Sequence, residues 1–431
     1  MAGKAGLLRP WRSAAKNRAA ALLLSAFLIL PWALPAQVAA TARALPSPPA
    51  INARAAVLID AATGTLLFAK NPDLALPPAS LTKLVTLHIA LEEIAAGRLS
   101  YEEILEIDPR DCSPQIPYGS SIMYLYPKMK VSVRDLMLGA AVVSGNDAAY
   151  ALARRISGSN EAFAARMNQE LKDLGFDGLT FEEPSGLSER NLVSARQFAQ
   201  FCKLYMELHP RALKELHSVK SIEFPRQEHS APGYVPEGRI VQYNRNPLIF
   251  NYPGADGLKT GYIIEVGFNM AATAQREGTR FIVVTLGGTG TAYSSGGNQR
   301  TKDVTNLLDW AFKNFATVSM DPGPLPEPRA WFGRKRTVAL KMLQTNAVTV
   351  PRDRIPELNI RVAAPASVDA PVERLARIGR LTYYLGDDDV AVVDLVASEA
   401  VPRGNIFRRV FDGIVRFFVN IFGAKDEGRK N

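Results

Sequence analysis

Ser80 and Lys83 stand in Ser80-Leu81-Thr82-Lys83, directly after Pro77-Pro78 and at the head of an apolar-periodic stretch. On a helix that spacing puts both side chains on one face. A serine hydroxyl is a poor nucleophile unless a base takes its proton, and a neutral lysine amine can be that base. The pair is the minimal equipment for acyl transfer without histidine. Alone it carries little weight, because so short a pattern recurs by chance in a chain of 431 residues. Ser13-Ala14-Ala15-Lys16 matches it too.

Further motifs supply context. Ser144-Gly145-Asn146 is the chain's only Ser-x-Asn and Lys259-Thr260-Gly261 its only Lys-Thr-Gly, and they follow Ser80 in that order. Lys83 serves as a base only with a depressed pKa, and a nearby cation such as Lys259 lowers it. Ser144 can hand a proton to a departing amine, and the Asn146 amide can hold Lys83 or a substrate carbonyl. Lys259 and Thr260 can bind a carboxylate, while Gly261 lets a strand backbone approach the substrate. A helix start at Ser80 favours developing negative charge. The Ser80 amide and one after Gly261 can form an oxyanion hole. The bland alternative is a capping Ser80, an ordinary turn at Ser144 and two surface lysines. It requires all the motifs to fall in order by accident.

Competing chemistries lack their residues. His88, His209, His217 and His229 show no metal-ligand spacing. Cys112 and Cys202 have no adjacent histidine, which argues against a catalytic thiol; whether they pair is open. Neither a Gly-x-Ser-x-Gly elbow nor a phosphate loop occurs.

Periodicity gives the elements that must position these motifs. Residues 56–60 and 65–68 flank a Thr63-Gly64 turn and predict a hairpin. Residues 80–97 predict a helix with Leu84, Leu87, Leu91 and Ile94 on one apolar stripe. Ser132-Val133-Arg134-Asp135 predicts a capped helix start, with Asp in place of Glu or Gln. Two helices flank Ser159, the second ending before Gly175. Residues 270–275 and 280–286 pair across Arg276-Glu277-Gly278, and 298–315 forms a helix. Strands at both ends with helices between predict an α+β fold in which early and late strands share one sheet.

The run Pro322-Gly323-Pro324-Leu325-Pro326-Glu327-Pro328 marks a boundary. Beyond it, 347–350, 358–362, 381–384 and 390–393 are candidate strands of a small β-domain without a catalytic constellation. The expected plan is a signal at 1–40, a catalytic domain at 41–320, the β-domain at 321–404 and a tail at 405–431.

The formal charge is +9, but the first forty residues hold Lys4, Arg9, Arg12, Lys16 and Arg18 with no acid. Without them only a weak excess remains, which does not argue for nucleic acid. That basic stretch, an apolar core at 19–30 and small residues at 36–42 predict a cleaved export signal, with an uncleaved anchor as the alternative. Cleavage would remove Ser13 and Lys16. In the tail, apolar pairs recur from Ile406-Phe407 to Ile421-Phe422, opposite a face of Arg408, Asp412, Arg416 and Asn420. This predicts an amphipathic helix lying in a membrane surface, with Arg408, Arg409, Arg416 and Lys425 near lipid phosphates. The alternative is a helix docked on its own domain or on a partner.

With these motifs, and with Asp256-Gly257-Leu258-Lys259-Thr260-Gly261 and Gly267-Phe268-Asn269, the chain resembles the D-alanyl-D-alanine carboxypeptidases, the low-molecular-weight penicillin-binding proteins of peptidase family S11. The resemblance runs from about Ala55 to Phe422, β-domain and tail included. It implies the penicillin-binding, serine β-lactamase-like transpeptidase fold, an antiparallel sheet with a helical subdomain. It implies that Ser80 forms an acyl-enzyme with Lys83 as base, Ser144 and Asn146 assisting, and Lys259 at the substrate carboxylate. It implies Tyr262 as an oxyanion amide and Arg300 as a further carboxylate ligand. The implied reaction trims the terminal D-alanine from muropeptide pentapeptides, in the periplasm or on the outer face of the cytoplasmic membrane, with no metal or cofactor. β-Lactams would acylate the same serine. The competing readings are a D,D-endopeptidase, a non-catalytic wall-binding scaffold and a class A-like β-lactamase. The last needs a deacylating glutamate, for which Glu182 and Glu183 fall near the expected interval.

Overall fold

The computed structural model of the chain describes residues 46–112, 115–290, 293–343 and 346–423. The expected signal at 1–40 lies outside them. β1 (Ala55–Asp60) and β2 (Leu66–Lys70) form the predicted antiparallel hairpin, with Gly64 at φ +74° in its turn. β1 reads as a continuous apolar run because it is buried along its whole length. A 3-10 turn, Ala79–Thr82, then leads into α1 (Lys83–Ala95). The predicted single stripe on this helix is replaced by burial on every side. Val85, Ile89 and Ala90 are as enclosed as Leu84 and Leu87, because the helix runs through the interior.

β3 (Ile104–Glu106) pairs with β4 (Lys130–Ser132), and the Ser132 hydroxyl caps α2 (Val133–Leu138) by accepting the Asp135 amide at 3.0 Å. The helix widens over Gly139–Val143 and stops at Ser144. α3 (Asn146–Ser157) and α4 (Asn160–Asp173) flank Ser159 as predicted, and Gly175 follows at φ +85°. α5 (Ala195–Leu208) is an element the sequence pattern did not announce. β5 (Ser221–Glu223), β6 (Val241–Tyr243) and the short α6 (Leu248–Asn251) precede β7 (Ala255–Ile263), β8 (Gly267–Arg276), β9 (Thr279–Gly288) and α7 (Tyr293–Asn314).

The main sheet has the order β2-β1-β9-β8-β7 and is antiparallel throughout. Early and late strands therefore share one sheet, and the α+β layering holds. Alternate residues sort to its two faces. Val57, Ile59, Ile282 and Val284 join the core that includes Leu84 of α1 and Phe198 of α5. Leu58, Met270 and Val283 pack with Val304, Leu307 and Leu308 of α7. Full burial of such a side chain contributes about 2 kcal/mol.

Beyond α7 come β10 (Phe315–Val318), β11 (Arg329–Trp331), β12 (Leu340–Met342), β13 (Val348–Pro351), β14 (Leu358–Ala363), β15 (Ser367–Asp369), β16 (Arg377–Leu385) and β17 (Asp388–Ala397). Their main sheet has the order β12-β17-β16-β14, and Gly386 at φ +62° turns the β16–β17 hairpin. β10 pairs with β13, so a ladder spans the proline-rich run.

α8 (Ile406–Gly423) closes the described chain. Its Phe407, Phe411, Phe417 and Phe418 are exposed. The polar face points inward, contrary to the expected contact with lipid phosphates. Asp412 is 1% exposed, accepts the Phe332 amide at 2.9 Å and pairs with Arg408 and Arg329. Arg416 pairs with Asp369 at 2.7 Å. Two of the expected lipid-facing arginines are thus held by the protein, Arg408 at a buried carboxylate that must be paired and Arg416 at the exposed Asp369. Lys425 lies outside the described residues. No helix among the described residues is long and apolar enough to cross a membrane.

Candidate active site

Ser80 sits in the 3-10 turn ahead of α1, and Lys83 is the first residue of that helix. In a 3-10 turn residues three apart eclipse each other. Lys83 Nζ accordingly reaches Ser80 Oγ at 3.1 Å. It also donates to Asn146 Oδ1 and to the Ser185 carbonyl, both at 2.6 Å. No side chain caps the turn or α1, so the Ser80 hydroxyl is not spent as a helix cap. Lys83 is fully buried, and burial brings its pKa down to about 7, against the pull of Glu183 and Asp147, which raise it. Desolvation is therefore the cause, in place of the Lys259 charge that the motif order made the candidate.

Ser144 ends the widened turn of α2 in the left-handed conformation, φ +66°. Asn146 opens α3 and spends its carbonyl oxygen on Lys83. Asp147 beside it accepts the amides of Met123 at 2.9 Å and Leu125 at 3.0 Å, which pins the segment walling the site. A Cβ on Gly145 would lie 2.8 Å from Asp147 Oδ1 and 3.1 Å from the Met123 amide nitrogen.

β7 brings the third motif alongside. A Cβ on Gly261 would lie 2.8 Å from the Pro78 carbonyl oxygen and 3.1 Å from the Ser80 amide nitrogen. Only glycine lets β7 come so close to the turn that carries Ser80. Lys259 is 1% exposed, and its Nζ donates to the Thr260 carbonyl at 3.1 Å. Burial holds its pKa well below the usual lysine range, with further lowering by Lys83, Arg300 and Arg245. Four basic groups thus crowd one end of the site, a field that a substrate carboxylate would relieve.

Ser80, Ser144, Asn146 and Thr260 line one cleft of about 630 Å³. Gly261, Tyr262 and Arg300 line it as well. Tyr262 is 38% exposed, and its ring lies 4.5 Å from that of Phe268. Arg300, on α7, stands 6.0 Å over the same Phe268 ring. Arg245, which carries no motif, also borders the cleft. Only folding reveals it, together with the Ser185 carbonyl and Asp147.

Both candidate deacylating glutamates are engaged by protein partners. Glu183 Oε2 accepts the Ser185 hydroxyl at 2.6 Å, and its Oε1 accepts Asn191 Nδ2 at 2.9 Å and the Gly186 amide. Glu182 pairs with Arg190 at 2.6 Å. Cys112 and Cys202 are buried free thiols, with Cys112 pushed up to about 12 by burial, so the open pairing resolves as none.

Residues 42–290 match the family model described as D-alanyl-D-alanine carboxypeptidase, and 325–403 match the C-terminal domain of penicillin-binding protein 5. A D-alanyl-D-alanine carboxypeptidase, DacD, of Salmonella typhimurium is 33% identical over 91% of this chain and 97% of its own. Penicillin-binding protein 5 from Haemophilus influenzae is similar in structure, with TM-score 0.73 and 30% identity over 83% of this chain and 99% of that one. A D-alanyl-D-alanine endopeptidase of Escherichia coli is 34% identical, but over only 43% of this chain and 57% of its own. A hydroxyl–amine pair in a buried turn, with its supporting motifs on one cleft and these matches along nearly the whole chain, places the protein in the D-alanyl-D-alanine carboxypeptidase family, peptidase S11.

Proposed function

We propose that the chain removes the terminal D-alanine from peptidoglycan pentapeptides through an acyl-Ser80 intermediate. The observation that carries this is the 3.1 Å contact between Ser80 Oγ and a Lys83 amine whose pKa burial lowers to about 7. Ser80 Oγ attacks the penultimate D-alanine carbonyl while Lys83 takes its proton. The amides of Ser80 and Tyr262 stabilise the oxyanion, each such donor being worth about 3 kcal/mol. Ser144 relays the proton to the departing amine and the C–N bond breaks. Water then attacks the ester, Lys83 accepts its proton, and Ser80 leaves protonated. Asn146 holds Lys83 through its carbonyl and offers its NH2 to the substrate peptide. Lys259, Thr260 and Arg300 take the terminal carboxylate, whose charge favours the ammonium form of Lys259.

The engaged carboxylates of Glu182 and Glu183 favour this reading over that of a β-lactamase. The endopeptidase reading rests on a relative that matches less than half of the chain. We also propose that the protein is exported and that the exposed apolar face of α8 rests in the outer leaflet of the cytoplasmic membrane.

Acylation is tested with benzylpenicillin, whose ring-opened adduct adds its mass to one peptide. The expected adduct lies on the tryptic peptide bearing Ser80 and is absent from Ser80→Ala. An adduct on another peptide would refute Ser80 as nucleophile.

A further inference from the structure

The predicted absence of metal-ligand spacing holds along the sequence but not in space. His88 on α1 and His209, just past the end of α5, are 121 residues apart, yet His88 Nδ1 lies 2.8 Å from His209 Nε2. Glu92, one turn after His88 on α1, places Oε1 3.5 Å from the same His209 nitrogen. The three donor atoms lie within 4.8 Å of one another. Two imidazole nitrogens and a carboxylate oxygen converging on one point is a metal-binding donor set.

Packing fixes the rings. Phe201 stands edge-on to His88 at 5.8 Å, and Tyr205 edge-on to His209 at 5.2 Å. Both histidines are buried among these rings. The nearby Arg166 pairs with Glu93.

The remaining nitrogen of His88 decides how the cluster is wired. Nε2 is buried without a hydrogen-bond partner, and the nearest carboxylate, Glu170 Oε1 on α4, is 3.8 Å away. A proton on Nε2 faces that carboxylate favourably, whereas a bare Nε2 would face it lone pair to lone pair. With Nε2 protonated, Nδ1 is an acceptor, and a single proton on His209 Nε2 is all that holds the centre. A divalent ion can replace that proton. Glu170 would then back His88 as carboxylates commonly back metal-bound histidines. Donor atoms around tetrahedral zinc stand about 3.3 Å apart, so the imidazole nitrogens need to separate by roughly 0.5 Å, while the 3.5 Å between Glu92 and His209 already fits. Glu92 is 38% exposed, which leaves a route for the ion and a position for a water ligand.

We propose that His88, Glu92 and His209 bind one zinc ion, with Glu170 supporting His88. The ion would clamp α1, whose first residue is Lys83, to the end of α5. It takes no part in the acyl transfer.

The test uses the full mature chain without a histidine tag, stripped with chelator, dialysed metal-free and titrated with zinc chloride against a chromogenic chelator. The wild type should bind one zinc and melt at a higher temperature with it. His209→Gln should lose the zinc and the thermal shift, and Glu92→Gln should bind at least about ten-fold more weakly. Glu92 is partly exposed, so its variant keeps the fold even if His209→Gln does not. Penicillin acylation of Ser80 without zinc should be unchanged in Glu92→Gln. No zinc on the wild type, or equal binding by wild type and Glu92→Gln, overturns the proposal.

Discussion

A lysine becomes a base at neutral pH only where its ammonium form is disfavoured, and for Lys83 enclosure does this. The neutral fraction rises as pH passes about 7. Acylation by penicillin should therefore quicken about ten-fold between pH 6 and pH 8 and then level off. A rate still climbing past pH 9 would mean that Lys83 keeps an ordinary pKa. Gly261 supports a second expectation at this scale. Because the atoms a Cβ would meet are backbone, at 2.8 Å and 3.1 Å, neither can swing aside. Gly261→Ala should slow acylation at least about ten-fold and destabilise the fold by about 1–3 kcal/mol. Unchanged kinetics would show that β7 need not lie so close to Ser80. Ser80, Lys83, Ser144, Asn146 and Lys259 were legible because their types are rare in that order. The Ser185 carbonyl, Asp147 and Arg245 were not, since a carbonyl has no sequence signature and each contact spans a long separation.

Among the elements, the strands and helices with a clear period or cap were legible: the β1–β2 hairpin, the Ser132 cap, the helices flanking Ser159 and the β8–β9 pairing. α1 misled because a helix enclosed on all sides has no polar face to define a stripe. α8 misled in another way. Its amphipathic pattern was plain, but which face meets protein depends on Asp412 reaching the Phe332 amide and Arg329, and neither neighbour is local in sequence. The apolar face is left exposed, with Phe407 at 82%. Deleting residues 405–431 should abolish sedimentation with anionic phospholipid vesicles. It should leave penicillin acylation within about two-fold, since surface changes away from a site are usually near-neutral. Sedimentation that survives the deletion would place the membrane contact elsewhere.

At the scale of the molecule, one sheet joins the N-terminal hairpin to the strand bearing Lys259, and the helices that supply Lys83 and Asn146 share one core with it. The site is thus assembled from segments 63 or more residues apart in sequence. That architecture has one chemical consequence above the others: hydrolysis of the D-alanyl-D-alanine bond should pass through Ser80. The direct measurement is D-alanine released from a muropeptide pentapeptide by the full chain and by Ser80→Ala. The wild type should release it steadily, and the variant should be slower by at least about 1,000-fold. Comparable release by both, or none by the wild type, would contradict the account.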